Sequence, residues 1–587
     1  MRYVILIIIS VINAALLRPN NLDTLHTIYG LFEWEQTPNA KEYNLQISTD
    51  NLFESIILDT TISKLMYLET QNLNWNNNYY WRVKPILNNN SVSEWINQFF
   101  VVVSNSIFNN NGLIHIDYDI NNLHLIQDGL NIFGDWRREQ TIVFDEQGYE
   151  VYNTKFGTIN FSEFGNWYGR NYNSRLYSKF NFQKDILWES PSLPDLDPHD
   201  FNQAPNGNYF FFLKETQLGP IPLGDWTQQF QALGYEADGE TIEFPWLGYK
   251  IVEIDSDTKE EIWSWNAFDY FSLNYFDSIG ETWWWAVQGG FYDWLHVNSF
   301  DFDQQMNYIY ISNRHLSRIT KINYITSKII WNIGLSDNYN TGDNNICNDL
   351  NFSWQHHVRV LDNGNLLFFD NGNLSEILRG TDYPTSRVLE IEIIDDNYCN
   401  IIWEYDLSEN FYGNSWGSVQ KLDNGNYLVN SRSNDIGNII EITKDKKIIW
   451  NATLNHTNFE PVGANYRAFR LPSLYPDAYY VVFDSLSTLN LDTIQFSGIF
   501  LSEDNDFKVE AFNESGYTQD YYYKFSIDNN FISTNEGIIT IEAYNSIKLN
   551  FENIDLENLI SNINFIIYPV HHEYAKKEFN FTVFVNE

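Results

Sequence analysis

Four stretches of the chain end a pair of alternating strands on tryptophan: IVEIDSDTKEEIWSW at Trp263, ITKINYITSKIIWNIG at Trp331, VLEIEIIDDNYCNIIWEY at Trp403 and IIEITKDKKIIWNATL at Trp450. A weaker copy surrounds Trp188 and VFDEQGYEVYNT at Tyr152 opens the series, so six units are countable. Each unit has the alternation of half-buried strands joined by polar turns, and one such sheet alone cannot cover both its faces. Radial packing of several sheets does so and leaves only short, protected edges. The last five tryptophans lie 75, 68, 72 and 47 residues apart, against ~40–50 residues for a four-stranded blade, so the longer intervals carry insertions. The pattern predicts an all-β chain built on a six-bladed β-propeller.

The turns Pro205–Asn208, Asp362–Asn365 and Asp423–Asn426 each contain Asn-Gly-Asn and mark hairpins, because Asn-Gly accepts the positive φ of a tight turn. Helical signals are sparse, the best being Gly224 to Leu233. The propeller unit spans residues 113–485. Before it, residues 17–104 form a separate small unit of short strands, FEWEQTPNAKEYNLQIS, NNNYYWRVKPI and SEWINQFFVVV. These resemble a fibronectin type III domain with Trp34, Tyr43 and Tyr80-Trp81-Arg82-Val83 as core strand positions. After it, residues 490–587 return to alternating strands and read as a β-sandwich, in which His571-His572 is expected to be a surface pair.

With 43% hydrophobic and 17% aromatic residues the chain is too apolar to be disordered. Asp and Glu outnumber Lys and Arg by 77 to 35, a net charge of −42 that repels phosphate backbones and excludes nucleic acid as a partner. The opening MRYVILIIISVINAALLRPN has the layout of a secretory signal peptide over residues 1–15, its apolar run being shorter than the ~20 residues of a membrane span. A secreted, periplasmic or cell-surface protein is expected. The two cysteines, Cys347 and Cys399, could form one disulfide there, and without CxxC spacing they do not indicate a metal.

Only eleven histidines occur, and four of them, His296, His315, His356 and His357, lie between Asp293 and Gly372. His199, His296 and His356 each precede a strand-rich run by a similar offset, in PHDFNQAPNGNYFFF, LHVNSFDFDQQMNYIYI and QHHVRVLDNGNLLFF. Innermost strands of a propeller line its axis, so these openings should meet in one funnel. Imidazole can attack or relay a proton near neutral pH, and arginine supplies planar donors for an oxyanion.

Three motifs here, DxxHxNS at Asp293–Ser299, SxRHxSxIxKI at Ser312–Ile322 and QHxxRxLxxGxLxxFDNG at Gln355–Gly372, with the closing YRAFRLPSLYP, resemble the arylsulfotransferase family of secreted bacterial enzymes over roughly residues 113–475. The resemblance implies nucleotide-independent transfer of a sulfuryl group from an aryl sulfate to a phenol through an enzyme histidine, and no P-loop is present. Carried over by motif, His296 and His356 are active-site positions, with His315 and Arg379 as further catalytic candidates. Asn298, Arg314, His357, Asn371, Arg387, Arg467 and His199 are candidates for binding substrate. Arg379 and Arg387 compete for the arginine after FDNG, with Arg387 matching a separate SRxxEY element. Strand alternation sets one of His356 and His357 towards the channel and the other towards the blade interior, and the family register implies that His356 is the one facing the channel. No metal or cofactor is expected.

One departure stands out. The family's sulfate-accepting histidine falls in the module after FDNG, where this chain has Arg432, Ser433 or Asn434 and no histidine. His315 or His357 in the nucleophile's role, direct transfer, and loss of chemistry all stay open. The alternative function is a non-catalytic propeller binding a sulfated or acidic glycan, with contacts through the flanking units; a quinone-dependent dehydrogenase is a distant third.

Overall fold

A computed structural model describes residues 15–104, 114–118, 121–135, 140–171, 173–433, 436–454, 465–491, 494–501, 506–527, 535–552 and 560–585. The expected signal peptide lies, but for residue 15, outside them. The chain is nearly all β, and among the described residues the three α-helices are short: Thr227–Ala232, inside the stretch read as helical, Thr282–Gly289 and Ser375–Arg379.

Six antiparallel sheets follow one another from Leu130 to Leu471. Their innermost strands, Asn465–Leu471, Phe156–Phe161, Leu196–Gln203, Val297–Phe302, His356–Val360 and Ser418–Lys421, neighbour one another around a ring. This is a β-propeller. The first sheet is closed by the end of the unit, Asn465–Leu471 pairing with Leu130–Asp135, and Ile114–Tyr118 adds an outer strand to the sixth.

The repeated tryptophan is a latch between neighbouring sheets. Trp188 donates its indole N–H to Ser256 O (2.9 Å), Trp331 to Asp396 Oδ1 (2.7 Å), Trp403 to Lys444 O (2.9 Å) and Trp450 to Glu146 O (3.0 Å), each acceptor lying in the outer hairpin of the next sheet. Trp263 instead packs against Tyr324 of the next sheet, ring centroids 5.5 Å apart. Across the strand pair from each tryptophan stands an ionisable residue, Lys179, Glu253, Lys321, Glu390 and Glu441 in turn. The three carboxylates are buried and fully used, as burial demands. Each accepts from the closing asparagine of its own Asn-Gly-Asn turn, Asn208 (2.7 Å), Asn365 (2.8 Å) or Asn426 (2.7 Å), and from the next sheet through Tyr324, Tyr427 or Arg470. In the fourth sheet the signs are reversed, Lys321 reaching Asp396 at 3.2 Å.

Cys347, in the connection after the fourth sheet, is disulfide-bonded to Cys399 on the outer strand of the fifth. The N-terminal unit packs two sheets over Trp34, Tyr43 and Trp81. The C-terminal unit pairs a three-stranded with a six-stranded sheet, and Tyr479–Phe483, assigned above to the propeller, belongs to it by pairing with Phe507–Asn513. His571-His572 is not a surface pair: His572 is buried and donates to Phe164 O (2.7 Å), while His571 stacks on the Phe164 ring at 3.8 Å. The three units meet at Glu33, which binds Arg18 (2.7 Å) and Lys577, with Arg18 also on Asp477 (2.8 Å).

Two stability outcomes follow from these junctions. Trp403→Phe, which removes the latch bond and trims the ring, should cost about 1 kcal/mol in denaturant unfolding, and Trp403→Ala about 3–5 kcal/mol; no loss in Trp403→Phe would show that the indole N–H contributes nothing. Burial pushes the Glu33 carboxyl up, but Lys577 and Arg18 outweigh it and hold it below the usual range. Its contribution is therefore present above the ordinary carboxylate pKa and is lost as pH falls through the depressed value. Glu33→Gln should cost about 3–5 kcal/mol at neutral pH and flatten the acid limb of stability; an unchanged acid limb refutes this.

Candidate functional site

The histidines gather where the inner strands begin. Asp293, on a short strand that pairs with Trp246 and Leu247 of the third sheet, accepts from Nδ1 of His296 at 2.5 Å. His296 holds φ +46°, a left-handed conformation that costs free energy in a non-glycine residue and recurs at functional sites. Its Nδ1–H bond to the carboxylate leaves the lone pair on Nε2. Next to it His199 makes the same kind of bond with Asp197, 2.6 Å, and the two imidazole centroids are 4.8 Å apart. Two carboxylate–imidazole dyads from adjacent sheets thus face each other.

His315 lies 4.7 Å from His296, centroid to centroid, with both nitrogens in use. Nδ1 donates to Asp293 O (2.6 Å), and Nε2 accepts from Arg314 Nη1 (2.6 Å). Arg314 also lies over the Trp354 ring at 4.4 Å. His356 is 1% exposed, and its Nδ1 donates to Asn371 Oδ1 (2.7 Å), whose amide is oriented by donating to Gly413 O (2.6 Å) and Trp416 O (2.8 Å). Tyr466 stands between, 5.9 Å from His199 and 6.3 Å from His356.

Burial keeps these imidazoles neutral. His296 titrates below its ordinary range, burial outweighing Asp293, while His315 and His356 fall well below theirs, with Arg314 adding repulsion. Burial pushes the Asp293 carboxyl up, but His296, then His315 and His199, hold it far below the usual carboxylate range. Burial lowers Arg314 only to about 10, so it stays cationic at neutral pH. Donor atoms of Asp293, His296 and His315 lie within 4.8 Å of one another. A metal ion would have to displace the Arg314 guanidinium from His315, so the set suits an oxyanion better than a cation.

Other candidates are placed elsewhere. Arg379 turns to Asp406 (2.7 Å) and Thr385 O, and Arg387 to Asp370 (2.9 Å) and Leu350 O, so neither reaches an imidazole. Arg467 spends both terminal nitrogens on backbone and Asp200, and Asn298 bridges to Gln355 O (2.7 Å); both build the ring. His357 departs from simple alternation because a bulge between His356 and Arg359, with His357 at φ +55°, turns it towards the other end of the axis. Arg432 lies over Trp416 at 4.6 Å, and Trp416 lies edge-on to Tyr466 at 6.3 Å, so the residue standing in for the missing histidine flanks the cluster; Asn434 is outside the described residues. Reading the sequence missed Trp354 and Trp285, 5.6 and 5.9 Å from His315. The signal was Trp283-Trp284-Trp285: a short helix buries the first and leaves Trp285 43% exposed beside the site.

Residues 244–477 match the family model for arylsulfotransferase (ASST). That span holds His296, Arg314, His315, His356, Arg432 and Tyr466, and His199 precedes it. No curated protein sequence matches the chain. Among solved structures, virginiamycin B lyase from Staphylococcus aureus aligns at 10% identity over 59% of this chain and 89% of its own, with a TM-score of 0.29. The β-propeller domain of Myceliophteria thermophila Cps50 (Swd1) aligns at 10% identity over 57% and 90%, with a TM-score of 0.30. These are likenesses of fold alone.

The dyad makes a spectroscopic prediction. In ¹⁵N-detected imidazole titrations His296 should carry its proton on Nδ1 and titrate below the ordinary value of about 6.5. Asp293→Asn should lower it further, because the carboxylate is what raises it. A His296 that titrates at or above the ordinary value, or is unmoved in Asp293→Asn, contradicts the arrangement.

Proposed function

We propose that this protein transfers a sulfuryl group from an aryl sulfate ester to a phenolic acceptor without a nucleotide, using His296 Nε2 as the nucleophile. The family match supports the arylsulfotransferase-like class. The observation that carries the assignment is the 2.5 Å Asp293–His296 bond, which aims the lone pair of a neutral imidazole away from its carboxylate. His315 cannot take the role with both nitrogens committed, and His357 faces away.

The Nε2 lone pair attacks sulfur, an N–S bond forms, and the S–O bond to the aryl group breaks with its electron pair on the phenolate oxygen. His199, which unlike His296, His315 and His356 enters the cycle as the imidazolium with Nδ1–H on Asp197, hands that oxygen its Nε2 proton. The sulfonated imidazolium is balanced by Asp293, while Arg314 supplies charge for the sulfonyl oxygens. A phenol then attacks sulfur, the N–S bond breaks, and its proton returns to His199, closing the cycle. The exposed face of Trp285 and the edge of Trp354 offer an apolar wall for the aryl ring. Export is part of the proposal, supported by the apolar N-terminal run and by the Cys347–Cys399 disulfide, which suits an oxidising compartment.

Purified protein should transfer sulfate from a chromogenic aryl sulfate to excess phenol. His296→Ala should lower kcat/KM by about 10³–10⁴ while the protein stays folded. The acid limb of kcat/KM should lie below pH ~6.5, since protonation removes the lone pair and burial depresses its pKa. Quenching with ³⁵S-labelled donor and peptide mapping should place the label on His296; label elsewhere, or none during turnover, rejects this nucleophile.

A further inference from the structure

The axis has a second end. Past the imidazoles, the Arg467 guanidinium crosses the channel to Asp200, and beyond it all six inner strands run out into a chamber of about 1300 Å³. The C-terminal unit supplies part of its wall through Tyr517, His571 and Tyr574. Two buried nitrogens lining this chamber are short of partners among the described residues. His357 is 2% exposed and its Nε2 has none, its Nδ1 facing the backbone of Val419; Arg359 spends Nη1 on Phe300 O (2.9 Å) and leaves Nη2 without one. Buried polar atoms are otherwise almost always paired, so orphans facing a cavity point to a ligand or to solvent held there.

Acceptors converge on the same space. Glu163, Asp301, Asp362 and Asp423 come from four different sheets, and burial together with the other three carboxylates pushes Glu163 up. Lys179, Arg359, Lys421 and Arg470 share the lining. Four carboxylates repel a polyanion, which argues against an acidic glycan here. Four cations oppose a metal ion, and among the described residues the cluster that could ligate one is elsewhere, at Asp293. What satisfies unpaired donors and clustered acceptors at once is a set of hydroxyl groups, each able to accept from imidazole or guanidinium and donate to carboxylate. Apolar faces for the ring carbons come from Phe302, Phe469, Tyr168 and the stacked Phe164–His571 pair. The volume exceeds the roughly 300–1,000 Å³ of drug-sized sites, matching a ligand of several sugar rings.

We propose that the chamber opposite the histidine funnel is a binding site for a neutral oligosaccharide, held by His357 and Arg359 at its inner end and by the carboxylates at its mouth. The site is independent of the sulfuryl-transfer reading, and binding tests it without turnover. Full-length protein is titrated calorimetrically with neutral hexasaccharides, namely cello-, xylo-, malto-, laminari- and mannohexaose, and with a chondroitin sulfate hexasaccharide as the acidic probe. At least one neutral hexasaccharide should bind, about tenfold or more weaker in His357→Leu. The rim variant Glu163→Gln/Asp362→Asn, at two exposed positions where folding is not at stake, should bind it about threefold or more weaker. No heat from any neutral hexasaccharide at about 5 mM, equal affinity in the rim variant, or tighter binding of the chondroitin sulfate probe overturns the proposal.

Discussion

Arg467 brings one guanidinium to four inner strands. From Asn465–Leu471 it donates to Ile159 O (3.2 Å), to Asp200 Oδ1 (2.8 Å), to His199 O (3.3 Å) and to Asn298 O (2.9 Å). Asp200 is itself wholly buried and also takes the Phe300 amide at 3.0 Å. A charge this deep is tolerable only with its counter-charge close by, and both terminal nitrogens of Arg467 are used, so strand positions around the axis are fixed by one polar hub rather than by apolar packing alone. The hub also has a consequence for chemistry: residues on one side of it, His199 and Tyr466, belong to the imidazole funnel, while Phe469 belongs to the chamber on the other.

Within the funnel, function depends on partners more than on the histidines themselves. Four imidazoles in one buried space would be uninformative if all were equally satisfied. They are not: His315 is locked by Asp293 O and Arg314, His356 by Asn371, while His296, like His199 beside it, has its Nδ1 bound to a carboxylate that pushes electron density towards the lone pair opposite.

Much of this was legible in the residues. Tryptophan-ended strand pairs repeated often enough to announce a radial array, and histidines at strand openings to announce a shared funnel. The roles of the tryptophans were not, because their acceptors, such as Lys444 for Trp403, lie one sheet further on. Arg379, a catalytic candidate, and Arg387, a substrate-binding one, meet partners that the sequence did not announce: motif spacing places them after Asp370, but Asp406 and Asp370 bind them, and sequence distance does not reveal which carboxylate an arginine will meet. His357 escaped the two-residue strand period through a bulge, a one-residue irregularity without a sequence signature.

The closure of the first sheet carries a final implication. Asn465–Leu471 is the last propeller strand to leave the ribosome, yet it pairs with Leu130–Asp135, more than three hundred residues earlier. Tyr466 and Arg467 ride on that strand. A nascent chain stalled or clipped before it would hold five finished sheets and an unfinished first one, with no keystone and an open seam. Assembly of the histidine funnel, with Tyr466 between its imidazoles, is thereby coupled to completion of the circle.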